Sequence, residues 1–583
     1  MKPFRTLNDF LRNITQAAFQ KAGLDIAFAE VKMADRPDLA DYQCNGSLIL
    51  GKKLQRNPQE LAQEIIGHLT QLTTDIEFSV AGPGFINYKI KPSYLLKSFQ
   101  EFSVPEHLSP AKKHKVFIDY GGPNVAKPMH VGHLRSSIIG QSLKNLFRFM
   151  GHDVTGDIHL GDWGTQMGML IIALEETDPK VVYFDTGFTG PYPKESPVTL
   201  EDLQRIYPQI SARCAEDEML ATKARQATFE LQQGRPGYRA LWKHFVDVSV
   251  VDMKTQFEKL GVSFEQWFGE SRYQDQIPSL LEDLKHKNIL EKSQGAFVIN
   301  VSEPTDKKEV PPVLLEKSDG GILYATTDLA TIRERVETFK ADDILYVVDG
   351  RQSLHFEQVF RAARKAGYTA QFEFLGFGTM NGPDNKPFKT RAGGAMRLEE
   401  LIHTLVEEAK SRTKEAHLET ASETITNDTA QKIGIAALKF ADLQHNMSQN
   451  YQFDVAKFMN FEGKTGPYLL YAVVRIKSIL LKAGTFSFKG AVELEPQEKE
   501  LILWILRFQE IMEKAFEKRA LNMLCDYAFE LAQCFSRFYQ ACPILSDKND
   551  PETKALRLLI AQQTQNTLEK VLSVLGIDCP DHM

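Results

Sequence analysis

Short apolar strands and helical segments alternate in two parts of this 583-residue chain, from 114 to about 180 and from about 262 to 400. The runs VFIDY (116–120) and DILYVV (343–348) are rich in β-branched and aromatic residues, as strands are. Strands that alternate with helices are typical of a parallel sheet with crossover connections. The pattern therefore predicts an α/β fold with a Rossmann-like parallel-sheet core.

The remaining segments predict additions to this core. Amphipathic stretches and the strand-like FSVAGPGFINYKI (78–90) indicate an N-terminal α/β appendage over residues 1–107. The core is expected to span residues 108–405 and to contain a helical insertion at about 185–260. Helical patterns continue through a connection at 406–453 and predict an all-α C-terminal domain at 454–583. A chain of this length is expected to form roughly three or four domains.

Two histidines three residues apart lie where the first core strand gives way to a helix. A Gly-Gly-Pro break (121–123) ends the strand, and apolar residues recur at helical spacing from Val131. His130 and His133 are therefore expected at a helix start, where unpaired N–H groups and the helix dipole attract anions. Gly132 would let a flat ligand such as adenine lie against the backbone. The pattern predicts a nucleotide site.

The same histidines have plainer interpretations. They could be ordinary residues, one packed and one solvated, or half of a zinc site. A zinc site is disfavoured because the chain has no Cys-x-x-Cys pair, and His152 and His159 lack metal-site spacing to the pair. Taken alone, the HxGH pattern leaves the nucleotide site and ordinary histidines open.

Composition indicates a large soluble protein. Hydrophobic content of 43% and charged content of 25% are ordinary, and no apolar stretch approaches a membrane span. The first 25 residues interleave apolar and charged side chains, unlike a signal peptide, so we expect a cytoplasmic protein without a membrane partner. Six sparse cysteines indicate free thiols. A net charge of −7 argues against a largely basic surface but not against local RNA-binding patches.

Several long motifs resemble one enzyme family, in order and over nearly the whole chain. PNVAKPMHVGHLRSSIIG (123–140) and GDWGTQMG (161–168) are the most specific, and YATTDLAT (324–331), YVVDGRQSLHFEQ (346–358) and FEGKTGPYLLYAVVRI (461–476) support them. These motifs resemble the arginyl-tRNA synthetases, which are class I aminoacyl-tRNA synthetases. The resemblance implies ATP-dependent ligation of L-arginine to its cognate tRNA through an arginyl-adenylate, with release of pyrophosphate and AMP.

The ATP site implied by this resemblance is rich in imidazole and cationic groups. His130, His133 and Lys127 are the expected catalytic residues, which stabilise charge on the phosphates of an ATP–Mg²⁺ substrate complex. The family's second ATP motif corresponds to PFKTR (387–391), in which Thr390 stands where a lysine is usual. A solvated basic loop is the alternative interpretation of PFKTR. The implied ATP-binding residues are His130, Gly132, His133, Lys389, Thr390 and Arg391.

An arginine site must offer acceptors, because a guanidinium brings five donors in one plane and no acceptor. By position in the family motifs, this site comprises Asp119, Asn124, Tyr324, Asp328 and Gln352. Asp119, Tyr324 and Asp328 are expected nearest to the guanidinium. From the residues alone other interpretations stay open, because an aspartate at a strand end is commonly a turn or capping residue and Tyr324 could belong to the core.

The resemblance also implies that tRNA(Arg) is held at two places. The N-terminal domain would contact the tRNA elbow, and the C-terminal helical domain would bind the anticodon, with Tyr468 and Tyr471 as candidate stacking residues. Core aromatics three apart on a helix are the alternative for this pair. The expected state is a monomer. The alternative functions are ligation of another amino acid by a class I enzyme, and a catalytically silent relative that binds tRNA or RNA.

Overall fold

A computed structural model describes residues 6–34, 36, 38–318, 320–382, 386, 396–416, 427–490 and 492–583. The chain divides into two compact units. Residues 1–106 and 469–572, with His582, form the first unit, and residues 107–468 and 573–581, with Met583, form the second. The N-terminal segment and most C-terminal helices thus share a unit although they lie far apart in sequence. The domain boundaries given above remain predictions.

An antiparallel sheet with four helices forms the N-terminal part of the first unit. Its strands pair in the order β1-β2-β4-β3. Helix α3 begins where sequence rules place it, because Asn57 caps it and Pro58 occupies its first turn. The predicted α/β appendage is confirmed. Its elements are α1 (Leu7–Lys21), β1 (Val31–Met33), β2 (Tyr42–Cys44), α2 (Gly46–Leu54), α3 (Pro58–Leu72), β3 (Ile76–Ala81), β4 (Phe85–Ile90) and α4 (Pro92–Gln100).

Four parallel strands form the core sheet of the second unit, in the order β11-β10-β5-β6. The predicted Rossmann-like sheet is therefore confirmed. The first strand ends one residue before Tyr120, because Gly121 turns the chain with a φ of +90° that favours glycine. The elements up to the third helix of the insertion are β5 (Lys115–Asp119), α5 (Leu134–Phe149), β6 (Asp153–Asp157), α6 (Thr165–Thr177), α7 (Leu200–Glu216), α8 (Glu218–Gln232) and α9 (Pro236–Lys259).

The second half of the core adds a small antiparallel sheet, β7-β8-β9, and completes the parallel one. Apolar side chains of β5 and β10 share a buried cluster with α10, α11 and α12, so these helices cover one face of the sheet. The elements are α10 (Ile277–His286), β7 (Glu291–Ser293), β8 (Ala296–Ile299), β9 (Val313–Glu316), α11 (Tyr324–Glu337), β10 (Asp343–Asp349), α12 (Ser353–Lys365), β11 (Gln371–Phe377) and β12 (Met380–Asn381).

Helices dominate the remainder of the chain, as predicted. Strand β13 pairs in parallel with β12, and Tyr451 lies opposite Met380. No helix in the described part of the chain is long and apolar enough to cross a membrane. All six cysteines are thiols rather than disulfides. The elements are α13 (Leu398–Ala416), α14 (Asn427–Leu443), β13 (Tyr451–Gln452), α15 (Val455–Phe458), α16 (Gly466–Ala483), α17 (Pro496–Leu506), α18 (Phe508–Lys518), α19 (Leu521–Ala541) and α20 (Pro551–Val574).

Candidate active site

The carboxyl ends of three parallel strands carry aspartates. β5 ends at Asp119, β6 at Asp157 and β10 at Asp349. Parallel strands bring these ends to one edge of the sheet, and open α/β sheets bind their ligands outside that edge. The histidine pair follows β5 directly, so both halves of the predicted site begin at this edge.

A single 3-10 turn, Val131–His133, connects the loop after β5 to α5. Nδ1 of His130 accepts the Gly132 N–H at 3.0 Å, and Nδ1 of His133 accepts the His130 N–H at 3.2 Å. The two rings stack with their centroids 4.0 Å apart. Because both Nδ1 atoms are acceptors, each neutral ring carries its proton on Nε2. Nε2–H is therefore the donor that each histidine can offer to a ligand.

Both imidazoles are kept neutral by their surroundings. Burial, followed by the neighbouring His130, lowers the pKa of His133 to about 3. Burial, followed by the positive charge of Lys127, lowers the pKa of His130 below its ordinary value. The Lys127 ammonium lies over the ring of Tyr207, 4.8 Å from its centroid. At neutral pH the histidines are hydrogen-bond donors, and Lys127 is the charged group beside them.

Gly132 has a steric reason to be glycine besides the one inferred from the sequence. A Cβ at this position would stand 2.7 Å from Cε1 of His130 and 2.8 Å from its Nδ1. A side chain would therefore displace the His130 ring from its bond to the Gly132 N–H. The placement of an adenine against Gly132 remains a prediction.

The chain beyond the second predicted ATP motif pairs with the histidine turn. The Val131 N–H donates to the Met396 carbonyl at 3.1 Å, and the Leu398 N–H donates to the Met129 carbonyl at 3.0 Å. An isolated bridge joins His130 and Arg397 between these bonds. Residues that follow the motif are thus held beside the predicted phosphate site. The motif residues Lys389, Thr390 and Arg391 themselves lie outside the described residues.

Asp119 is bound to a cation of the protein, Arg335. Nη2 of Arg335 donates to Oδ2 of Asp119 at 2.7 Å and to Oδ2 of Asp157 at 2.6 Å. All three side chains are buried, and burial raises the pKa of Asp119 while Arg335 opposes that rise. Asp119 is therefore an ion-pair partner rather than a turn or capping residue. Its carboxylate shares its charge with Arg335 before any ligand arrives.

The ring atoms of His159 complete a group that resembles a metal site. Asp119, Asp157 and His159 offer ligand atoms that lie within 4.8 Å of one another. Arg335 already bonds to both carboxylates and supplies positive charge there. A dication would have to share this space with a guanidinium, which is unfavourable. We assign no metal to this group.

Asp328 and Tyr324 lie one turn apart in the first turns of α11. Tyr324 is 70% exposed, so it does not belong to the core, which was the alternative interpretation of this residue. Oδ2 of Asp328 contacts Nε2 of His355 at 2.6 Å, and this bond raises the pKa of His355. Gln352 is exposed in the 3-10 turn directly before α12, which carries His355. Three of the predicted arginine-site residues thus lie on α11 and the start of α12.

Glu270 joins this group although the sequence analysis did not select it. It is the first residue of the 3-10 helix Glu270–Gln276. Burial raises its pKa to about 7, His159 opposes that rise, and the carboxylates of Asp162 and Asp328 add to it. Partial burial raises the pKa of Tyr324 and Glu270 adds to the rise, although most of the surface of this residue is exposed. A carboxyl group with a pKa raised in this way is a candidate for a functional site.

Asn124 connects the two most specific motifs. Its backbone forms a parallel bridge with Gly161 of GDWGTQMG. The Val125 N–H donates to the Gly161 carbonyl at 3.1 Å, and the Gly161 N–H donates to the Pro123 carbonyl at 3.2 Å. Motifs that are separate in sequence are therefore adjacent at the sheet edge, and Asn124 lies where they meet.

Family comparisons agree with these motifs. The model of the class I (R) tRNA synthetase catalytic domain matches residues 102–455. The arginyl tRNA synthetase N-terminal domain matches residues 7–90, and the DALR anticodon binding domain matches residues 469–583. An arginine–tRNA ligase of Hyphomonas neptunium is 46% identical over 97% of this chain and 98% of its own. The chain belongs to the arginyl-tRNA synthetase family.

Other arginyl-tRNA synthetases give the same result. The arginine–tRNA ligase of Alkaliphilus oremlandii is 44% identical over 97% of both chains. The crystal structure of the Plasmodium falciparum arginyl-tRNA synthetase superposes with a TM-score of 0.80 at 25% identity and covers both chains fully. The Thermus thermophilus arginyl-tRNA synthetase has a TM-score of 0.82 at 23% identity over 99% of this chain and 100% of its own, which shows the shared fold.

The tyrosine pair proposed for the anticodon end of this arginyl-tRNA synthetase family member lies on α16. Tyr471 is 48% exposed, whereas Tyr468 is partly buried. The exposed ring of Tyr471 is therefore not a core aromatic. Stacking of either tyrosine on a base remains a prediction.

Proposed function

We propose that this chain is an arginine–tRNA ligase that acts as a monomer in the cytoplasm, where tRNA is charged for translation. L-Arginine attacks the α-phosphorus of ATP through its carboxylate, and pyrophosphate leaves. The 2′-OH of the terminal ribose of tRNA(Arg) then attacks the arginyl-adenylate, and AMP leaves. The ligand set is L-arginine, ATP with its Mg²⁺ as a substrate complex, and tRNA(Arg).

One observation carries the proposal. A pair of neutral imidazoles that offer Nε2–H donors follows strand β5, and a second set of groups, the carboxylates of Glu270 and Asp328, is joined to the chain just after β6 by the bond from the Glu270 N–H to the Leu160 carbonyl. The first set fits phosphate oxygens, and the second fits a planar cation. Adenylation of arginine requires donors for the phosphates and acceptors for the guanidinium, separated by no more than the length of one amino acid.

Positioning and electrostatics suffice for the first step, because the attacking group belongs to the substrate and no protein nucleophile is needed. Lys127 supplies positive charge toward the phosphates, and His130 and His133 supply donors whose orientation the backbone fixes. Fixed donors need no reorganisation as charge moves onto the leaving pyrophosphate. Mg²⁺ enters with ATP and neutralises phosphate charge.

The arginine half supplies selection. Asp328 and Glu270 are the carboxylates we assign to the guanidinium, with Tyr324 as a neutral acceptor at the rim. Asp119, already paired with Arg335, contributes a weaker field, and Asn124 and Gln352 are assigned to the remaining polar groups of the amino acid. A lysine in this site would leave buried acceptors without donors, so discrimination on the order of 10⁴-fold or more is expected without a second hydrolytic site.

Exchange of labelled pyrophosphate into ATP tests the function. Each of the twenty amino acids is supplied in turn, with and without tRNA(Arg), and transfer to tRNA is followed separately. We expect exchange with arginine alone among the amino acids, and exchange that depends on added tRNA. Exchange with another amino acid would identify a different ligase, and no exchange under any condition would favour a silent RNA-binding relative.

A further inference from the structure

The GDWGTQMG motif (161–168) has no chemical role in the site described so far, yet it borders the segment that carries Glu270. The Leu160 N–H donates to the Phe268 carbonyl at 2.7 Å, and the Glu270 N–H donates to the Leu160 carbonyl at 3.0 Å. The backbone of Glu270 is thereby fixed to the residue that precedes the motif by one position.

Asp162, the second residue of the motif, binds Ser271, the neighbour of Glu270. The Ser271 N–H donates to Oδ1 of Asp162 at 3.0 Å, and the Ser271 Oγ–H donates to Oδ2 at 2.6 Å. Asp162 is only 3% exposed, and a Cβ at Gly269 would overlap its carboxylate. Glycine at 269 therefore gives the buried carboxylate access to the backbone beside Glu270.

The helical insertion fixes the motif in turn. The indole N–H of Trp242, on α9, donates to the carbonyl oxygen of Asp162 at 2.8 Å. The indole N–H of Trp163 donates to Oε1 of Gln274 at 3.1 Å, and the rings of Trp163 and Trp242 pack edge to face. The backbone of Asp162 is thus fixed by a hydrogen bond from the insertion. The bond from Trp163 to Gln274 also joins the motif to the 3-10 helix that begins at Glu270.

An ion pair joins the same helix to α11. Nη2 of Arg272 donates to Oε1 of Glu334 at 2.9 Å, and its Nε donates to Oε2 at 3.0 Å. Glu334 lies on α11, which also carries Tyr324 and Asp328. The segment of Glu270 is therefore fixed between the motif and the helix of the predicted arginine site.

We propose that Asp162 is a positioning residue for arginine selection, which orients Glu270 through its two bonds to the neighbouring Ser271. The inference rests on the proposed function, because Glu270 has a task only if a guanidinium is bound there. On this basis GDWGTQMG serves the amino acid half of the site, although it follows the histidine motif in the chain.

A double-mutant cycle tests this assignment, with the KM for arginine measured by pyrophosphate exchange in the presence of tRNA. Ser271→Ala removes one hydrogen bond and is expected to raise this KM about fivefold. The KM for ATP and kcat should stay within about twofold of normal. Ser271→Thr retains the hydroxyl and is expected to keep the KM for arginine near that of the unmodified protein. In a Glu270→Gln background, Ser271→Ala should add nothing beyond about twofold, because residues that act through one group are not additive.

Asp162→Asn provides a second arm, with an expected rise in the KM for arginine of about tenfold that also disappears in the Glu270→Gln background. Asp202 supplies the matched control, because its carboxylate accepts the N–H and the hydroxyl of Thr199 at 3.0 and 2.9 Å at the start of α7. Asp202→Asn should leave the KM for arginine unchanged. Circular dichroism and thermal unfolding of each variant establish that it is folded.

Additive effects of Ser271→Ala and Glu270→Gln would overturn the inference, as would an equal rise in the KM for ATP. Failure of Glu270→Gln to raise the KM for arginine would also overturn it, while arginine-dependent exchange by the unmodified protein would still support the proposed function. Absence of that exchange in the unmodified protein would instead remove the proposed function.

Discussion

The two halves of the proposed site differ in their electrostatics. In the proposed phosphate half, burial keeps His130 and His133 uncharged, so among the described residues a polyanion would meet oriented donors and the ammonium of Lys127. In the arginine half, the partners of the carboxylates belong to the protein: the guanidinium of Arg335 bonds to Asp119, and the imidazole of His355 bonds to Asp328.

The difference shows how the charges of each half are balanced within the protein. Neutral donors need no counter-charge, whereas buried carboxylates are costly unless they are paired. Asp119 and Asp157 share Arg335, Asp328 holds His355, and Glu270 has a pKa raised to about 7. The arginine half therefore depends on resident partners, and the phosphate half on backbone geometry.

Loss of the buried partner Arg335 should have the largest effect. Arg335→Met leaves Asp119 and Asp157 without their shared donor, and removal of one member of a buried ion pair costs roughly 3–5 kcal/mol of unfolding free energy. Denaturant titration measures the change. Arg213→Met is the control, because Arg213 pairs with Glu176 at 2.8 Å on the surface and its loss should leave the unfolding free energy nearly unchanged. Equal small losses in both variants would contradict a stabilising role of the buried Arg335.

Loss of a fixed donor in the phosphate half should slow chemistry without unfolding the protein. His133→Ala is expected to lower the rate of arginyl-adenylate formation by on the order of 10²-fold or more. His133→Gln retains a terminal N–H donor and should lose less. Single-turnover adenylate formation with saturating arginine gives both rates. A folded His133→Ala variant with a near-normal rate would remove the pair from the mechanism.

Neutralisation of one carboxylate in the arginine half should weaken arginine and spare ATP. Asp328→Asn keeps the volume and removes the charge, at a cost of roughly 2–4 kcal/mol of arginine affinity. Equilibrium binding of each substrate measures the effect. If arginine and ATP weaken equally, Asp328 holds the structure rather than the amino acid.

The smallest expected effect is a difference in pH dependence between the halves. Glu270 in the empty site is protonated below a pKa of about 7, so the KM for arginine should fall as pH rises from 6 to 8 and then level off. His133, with a pKa of about 3, stays neutral over this range and should add no inflection to the adenylation rate at saturating arginine. Glu270→Gln should abolish the inflection in KM. An inflection in the KM that persists in Glu270→Gln would come from the titration of another group.

The same raised pKa has a consequence for stability with a definite sign. A carboxyl whose pKa is higher in the folded protein than in the unfolded chain stabilises the fold at low pH, and that contribution is lost as pH rises through the folded value. The empty unmodified protein should therefore lose stability relative to Glu270→Gln between pH 5 and 8. Thermal unfolding of both proteins at these two pH values measures the change, and an opposite sign would contradict a raised pKa of Glu270.

The sequence by itself determined the parallel sheet, the helical C-terminal part and the position of the histidine pair. Alternation of strands and helices and the Gly-Gly-Pro break at 121–123 are local signals, and local signals fix where elements begin and end. The tautomer of both histidines is also local, because the acceptors and donors lie within three residues of one another.

Only the tertiary structure decided the charge state of these groups and the partners of the carboxylates. Arg335 lies 216 residues from Asp119, His355 lies 27 residues from Asp328, and Ser271 lies 109 residues from Asp162. Glu270 follows an unremarkable stretch of sequence, so no periodicity or motif selected it. A pKa depends on burial and on neighbouring charge, and both are set by which distant segments pack together rather than by the order of residues along the chain.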